Sequence, residues 1–253
     1  MAKHSHWDNI KHKKAVNDKK KASVIAKMGK LLTVAVQVGG GPNLSDNPRL
    51  RLAFDKARAS GMNMEAIERA INKAAGVGGD GRTMSELAYE GYGPGGVAIV
   101  VTALTDNRTR TAPEIKKIFE RAGGAMGVPG CVSWQFKDMA VFLCEKTSED
   151  AVMEALLAAN ADAEDISALD AGQVAVTAGA HQFDAVAKAL TAARIAVASS
   201  DITKLPDNQV AVASLEQAKA VQALLEELDD QDDVQGVYHN AEFSDEIAAQ
   251  LQA

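Results

Sequence analysis

From about Lys19 to Val38 the apolar positions Ile25, Met28, Leu32 and Ala35 return every three or four residues, the spacing of one helix face. The run stops at Gly39-Gly40-Gly41-Pro42. Asn47-Pro48 then offers an N-cap followed by proline at the first helical position, and Leu50, Phe54 and Ala57 carry a second helix to Gly61. A third helix starts after Asn63 and runs through Ile67, Ala70 and Ile71 to Gly76. Residues 1–76 therefore read as a small helical domain, and Gly76-Val77-Gly78-Gly79-Asp80-Gly81 as a flexible hinge behind it.

Past the hinge the period changes, and one order of elements occurs twice. The inner copy predicts a strand at 140–144, a helix at 149–159, strands at 163–169 and 173–177, a helix at 182–193 and a strand at 195–199. This is β-α-β-β-α-β, the ferredoxin-like split unit. The flanks repeat it: strand 97–104, helix 112–122, strand 132–136, strand 209–213, helix 216–228 and strand 234–239. Thr111-x-x-Glu114 reads as a capping box ahead of the first of these helices. The predicted fold class is α+β, with a small N-terminal helical domain followed by two ferredoxin-like βαββαβ modules, one inserted into the other. The predicted domains are 1–76, 82–137 plus 204–243, and the insert 138–203. The tail after Asn240 reads as frayed or as a short helix.

Charge changes the picture from architecture to function. The first thirty residues carry nine lysines against Asp8 and Asp18. Residues 1–74 hold 15 Lys and Arg against 6 Asp and Glu, a balance of +9; the remaining 12 and 28 give −16, and the two sum to the chain's −7. Charge segregated this way marks one end for a polyanion. Lys3, Lys11, Lys13, Lys14, Lys19, Lys20, Lys21, Lys27 and Lys30 are suited to phosphates as mobile point charges. Among them Ser5, Asn9, His4 and His12 add hydrogen bonds, and Trp7 or a histidine ring can stack on an unpaired base or, for Trp7, anchor the helical core. Few acids lie within four residues of these lysines to neutralise them locally.

Other candidate chemistry is thinner. His4, His6 and His12 have no Asp or Cys at ligand spacing, so no metal is expected. Gly91, Gly93 and Gly96 form a GxGxxG, but it precedes a strand instead of opening a helix, and Pro94 removes an N–H; a tight structural turn is expected and no cofactor. Arg108 and Arg110 flank a helix N-terminus and can hold a phosphate, or Asp106 can pair with an arginine there. Asp229, Asp230, Asp232 and Asp233 lack the ligand alternation of a calcium loop and read as a solvated acidic turn. Cys131 and Cys144 read as buried free thiols. No apolar run approaches the ~18 residues of a membrane helix, and the N-terminus has no apolar signal segment, so a cytoplasmic protein without a membrane partner is expected. No activated nucleophile or acid/base pair emerges, so no catalytic residue is assigned and an enzyme is not expected.

Five segments together, HSHWDNIKHKKA, GGGPNLSDNPRLRLAFDKAR, IERAINKAAG, YEGYGPGGVAIVVTALTDNRTRT and VQGVYHNAEF, closely resemble the YebC/PmpR family along essentially the whole chain. Lys3, His6, Asp8 and Lys13 stand where that family usually has Gly, Lys, Ala and Arg. The resemblance implies a three-domain cytoplasmic protein of a group long described as DNA-binding transcriptional regulators. Some members are described instead as translation factors at the ribosome, which makes ribosomal RNA, the ribosome or another protein partner the alternative. Contact through residues 3–30 is then dominated by the nucleic-acid backbone, since no set of Asn, Gln or Arg spaced for base edges stands out. A third reading is a protein-interaction scaffold whose basic arm binds its own acidic domains.

Overall fold

Helix α1 (Lys21–Val38) opens the described part of the chain, which in this computed structural model comprises residues 21–76, 83–169 and 172–252. Asn47 ends its turn. Its side-chain oxygen accepts from the Leu50 amide at 2.8 Å and so caps α2 (Pro48–Ala59), while its Nδ2 donates to the carbonyls of Ala35 and Gly41, each at 2.8 Å. One fully buried side chain thereby satisfies both the end of one helix and the start of the next. Asn63 caps α3 (Met64–Ala74) in the same manner, accepting from the Ala66 amide. Leu32, Ala35, Val36, Leu50, Ala53, Ala57, Ile67 and Ile71 form the three-helix core. The predicted starts of α2 and α3 are thus found where the Asn residues place them.

A second apolar face makes α1 unusual. Val34 is buried outside that core, and α1 lies against β2 (Ala98–Thr105) and β9 (Val234–His239). Ala98, Val100 and Leu104 alternate with the inward Val97, Ile99, Val101 and Ala103, yet they too are buried. The sheet therefore carries cover on both sides, which is why β2 reads as a continuous apolar run.

The chain divides into two compact units, Trp134–Asn208 and the remainder. In the remainder, β1 (Ser85–Tyr92) pairs antiparallel with β2 from Ser85↔Thr105 to Tyr92↔Ala98, and the sheet order is β3-β1-β2-β9, with β3 reduced to Ala125–Met126. Helices α4 (Arg108–Arg121) and α7 (Leu215–Asp230) supply Ile115, Ile118, Phe119, Val221, Leu224 and Leu228 to its core.

Three predicted details of this outer module differ. Strand β1 lies where only a turn at 91–96 is expected, and it takes the place beside β2 that the predicted strand at 209–213 would need. The predicted strand at 132–136 is instead a 3-10 turn, Ser133–Gln135, leading into β4 (Phe136–Glu145). The predicted strand at 209–213 shortens to β8 (Val210–Ala211), which pairs in parallel with β10 (Ala241–Glu242) outside the main sheet. The tail forms α8 (Asp245–Gln252).

The unit Trp134–Asn208 has the sheet order β5-β6-β4-β7, all antiparallel, built from β4, β5 (Asp165–Leu169), β6 (Gln173–Gly179) and β7 (Ala196–Pro206). Helices α5 (Glu149–Ala158) and α6 (Phe183–Ala192) pack Val152, Leu156, Val186 and Leu190 onto Phe142, Cys144, Val174 and Val176. This is the split β-α-β-β-α-β arrangement that the alternating pattern predicts. Phe142 and Phe183 stack with ring centroids 5.0 Å apart.

Candidate nucleic-acid interface

Lys3, His4, Ser5, Trp7, Asn9, Lys11, His12, Lys13, Lys14, Lys19 and Lys20 lie outside the described residues, as do the side chain of Lys21 and the hinge beyond Gly76. Lys27, Lys30, Arg108 and Arg110 are described, and three of the four meet one place.

That place is residues 229–233, the end of α7 and the turn that leads from it into β9. Asp233 is 1% exposed, not solvated as the acidic run suggests. Its Oδ1 accepts from Lys30 Nζ at 2.5 Å, and its Oδ2 accepts from Arg110 Nη2 at 2.8 Å and from Thr111 Oγ1 at 2.7 Å. Burial alone would raise this carboxyl's pKa; the hydrogen bonds from Lys30, Arg110 and Thr111 outweigh it and hold the group well below the usual carboxylate range. Lys30 also donates to the Asp232 carbonyl at 2.8 Å. Lys27 donates to the Asp229 carbonyl and lies 3.8 Å from that residue's carboxylate.

The start of α4 explains why Arg110 faces this turn. Asn107, not Thr111, is the N-cap: its side chain accepts from the Arg110 amide at 3.1 Å. The predicted capping box does not form, because the helix begins at Arg108 and Thr111 lies buried in its first turn, with its hydroxyl turned to Asp233. Arg110 additionally stands 3.6 Å from Asp106, the arginine–aspartate pairing weighed above. Arg108 is exposed.

A second buried carboxylate, which nothing in the sequence singled out, shapes the segment after β3. Glu90, 6% exposed, accepts the amides of Gly130 at 2.8 Å, Val132 at 2.9 Å and Ser133 at 2.8 Å. Burial pushes its pKa up, the amides push it down, and the amides prevail. A strand at 132–136 is incompatible with the adjacent Val132 and Ser133 amides both donating to one side chain, since successive strand amides point to opposite sides. Cys131 in this loop is half-buried, while Cys144 is fully buried with its thiol pushed up to about 11; neither is in a disulfide.

The GYGPGG segment closes the β1–β2 hairpin. Gly95 takes φ +74°, and a Cβ there would come within 1.4 Å of Gln217 Nε2 on α7. The glycines allow close packing against a helix flank, as expected of a structural turn. Among the described residues no three His, Cys, Asp or Glu side chains are grouped to hold a metal ion, and no helix is long and apolar enough to cross a membrane.

Comparison with known proteins is consistent along the chain. The family model described as the TACO1/YebC protein N-terminal domain matches residues 5–77, and that described as the TACO1/YebC second and third domain matches residues 84–241. The chain belongs to the TACO1/YebC family. Relatives include proteins called "probable transcriptional regulatory protein" from Chromohalobacter salexigens, 45% identical over the whole of both chains, and from Desulfitobacterium hafniense, 46% identical over 98% of each. A crystal structure of a conserved hypothetical protein from Aquifex aeolicus superimposes with a TM-score of 0.82 at 36% identity, covering 95% of this chain and 98% of the other. The α+β architecture is therefore that of this family.

Proposed function

We propose that this chain is a non-enzymatic, nucleic-acid-binding regulator of gene expression acting in the cytoplasm, gripping a phosphate backbone through residues 3–30 and Arg108. The working division is a basic domain at 1–76, an α+β module at 82–137 plus 204–243, and an insert at 138–203. The carrying observation is the charge segregation: nine lysines and two acids in the first thirty residues of a chain of net charge −7. The names borne by its relatives agree with a regulatory role. The carboxyls of Asp233 and Glu90, both held below their ordinary values, are each hydrogen-bonded by groups of the chain itself, an arrangement that supports structural roles over acid–base chemistry.

Backbone contact without base reading suits structured RNA as well as duplex DNA. The lysine-rich arm, with no arginine in residues 1–30 for bidentate reading of guanine, supports the ribosome-associated reading beside the promoter one. Filter binding of duplex DNA and of ribosomal RNA over a salt series tests both. Replacing Lys11, Lys13, Lys14, Lys19, Lys20 and Lys21 with alanine should remove most affinity and reduce the salt slope on duplex DNA by about five, at ~0.9 per phosphate. Unchanged affinity and slope would sink the proposal. Crosslinking in cells then separates the targets: recovered ribosomal RNA points to translation, discrete promoters to transcription.

A further inference from the structure

The two lysines of α1 nearest the acidic turn each hold a carbonyl oxygen together with a carboxylate. Lys27 has both from Asp229; Lys30 has the Asp232 carbonyl and the Asp233 carboxylate. A negatively charged oxygen acceptor facing an ammonium is what a phosphate backbone also offers. Residues 229–233, which include four aspartates, hold the ammonium groups of Lys27 and Lys30.

We infer that this turn is an intramolecular competitor for polyanions, holding Lys27 and Lys30 until a nucleic-acid backbone displaces it. The inference rests on the nucleic-acid reading above. Release is made easy by an asymmetry in the partners. Asp233 keeps Arg110 at 2.8 Å and Thr111 at 2.7 Å when Lys30 leaves, so no buried charge is stranded. The outer carboxylate, Asp229, is half-exposed and returns to water. The apolar seat of α1 on β2 and β9 need not open, because a lysine head can swing on its four-carbon stem while the helix stays in place. While the turn retains its charge, phosphates approaching α1 meet aspartates beside the lysines, and weak, nonspecific polyanions are turned away.

The test uses the full chain with two labelled probes, a mixed-sequence single-stranded RNA and a duplex DNA. Asp229→Asn with Asp232→Asn weakens the turn's field while leaving the buried Asp233 intact. Asp245→Asn with Glu246→Gln makes the same charge change on α8. If the turn competes, the first pair tightens binding by about threefold or more and steepens the duplex salt slope by up to about one, for Lys27, the lysine whose carboxylate partner it removes, while the α8 pair stays within about twofold of wild type. Adding Lys27→Gln and Lys30→Gln should erase that gain, and the same two changes in the wild-type background should cost less. If the wild-type chain binds and the turn variant behaves like the α8 control, or its gain survives loss of both lysines, the competitor is overturned and the nucleic-acid reading stands. If the wild-type chain binds neither probe at low salt, both fall.

Discussion

Thr111 and Asp233, 122 positions apart in the chain, share a buried hydrogen bond of 2.7 Å from hydroxyl to carboxylate. The bond ties the first turn of α4 to the entry of β9, and it explains why a threonine that looks like a helix cap is placed inside the helix. Its hydroxyl has one proton. With that proton given to Asp233, the Thr105 hydroxyl, 2.9 Å away, is placed to donate to Thr111, while it accepts the Asn107 amide. Thr111→Val keeps the shape and removes the donor, which should cost about 1–2 kcal/mol in chemical denaturation, since Asp233 retains Lys30 and Arg110. Asp233→Ala removes the acceptor of all three and should cost about 3 kcal/mol or more. A Thr111→Val variant as stable as wild type would show the hydroxyl to be dispensable.

The elements written in short-range signals were legible. Asn47-Pro48 and Asn63 name their helix starts because capping needs a side-chain acceptor at a fixed offset from a free amide, and that offset is visible in a linear string. The insert's alternation gave each of its strands and helices. Legibility failed where a partner distant in sequence decides the outcome. Asp233 looks like one acid in a solvated run until Lys30, Arg110 and Thr111 converge on it. Strand β1 was missed because Gly91 and the polar Glu86 and Glu90 mask an alternation in which Leu87 and Tyr89 share one face. That period-two signal was present and outweighed by the neighbouring glycines. For the candidate interface, the lysine run was plain in the sequence, but its pairing with an acidic turn about two hundred residues on was not.

Glu90 provides a sharper case of one side chain fixing a loop. Glu90→Gln replaces two charged acceptors with one neutral oxygen and an NH2 that opposes the incoming amides. The expected loss is about 2–3 kcal/mol, concentrated locally. Hydrogen exchange should show the Gly130, Val132 and Ser133 amides losing protection while those of β2 keep theirs. Protection unchanged at these three amides would mean that Glu90 does not organise the loop.

Gly95 should accept a side chain only at a cost in stability. Gly95→Ala imposes a left-handed conformation on alanine, about 1 kcal/mol, and drives its Cβ into Gln217, whose Oε1 accepts the Ala213 amide at 3.1 Å. A drop in melting temperature is expected. Adding Gln217→Ala should recover the steric part and leave the backbone part, so the two substitutions are non-additive. Additive losses would place the strain elsewhere.

Acid should weaken the unit containing β1 and β9 through two named carboxylates. Asp233 and Glu90 both titrate in the folded chain below their ordinary values of 3.8 and 4.5. A folded value below the unfolded one means that the unfolded chain binds protons first as pH falls. The stability these groups contribute is therefore complete above the ordinary carboxylate range, and it declines as pH falls through that range towards the folded values. Each should add a slope of up to about 1.4 kcal/mol per pH unit there. Denaturation midpoints measured from neutral pH down into the acid range should be level with respect to these two groups until about pH 5, then fall. Asp233→Asn and Glu90→Gln should each lower the plateau and flatten the acid limb, because the group that took up the proton is gone. An acid limb of wild-type steepness in both variants would assign the proton uptake to other carboxylates.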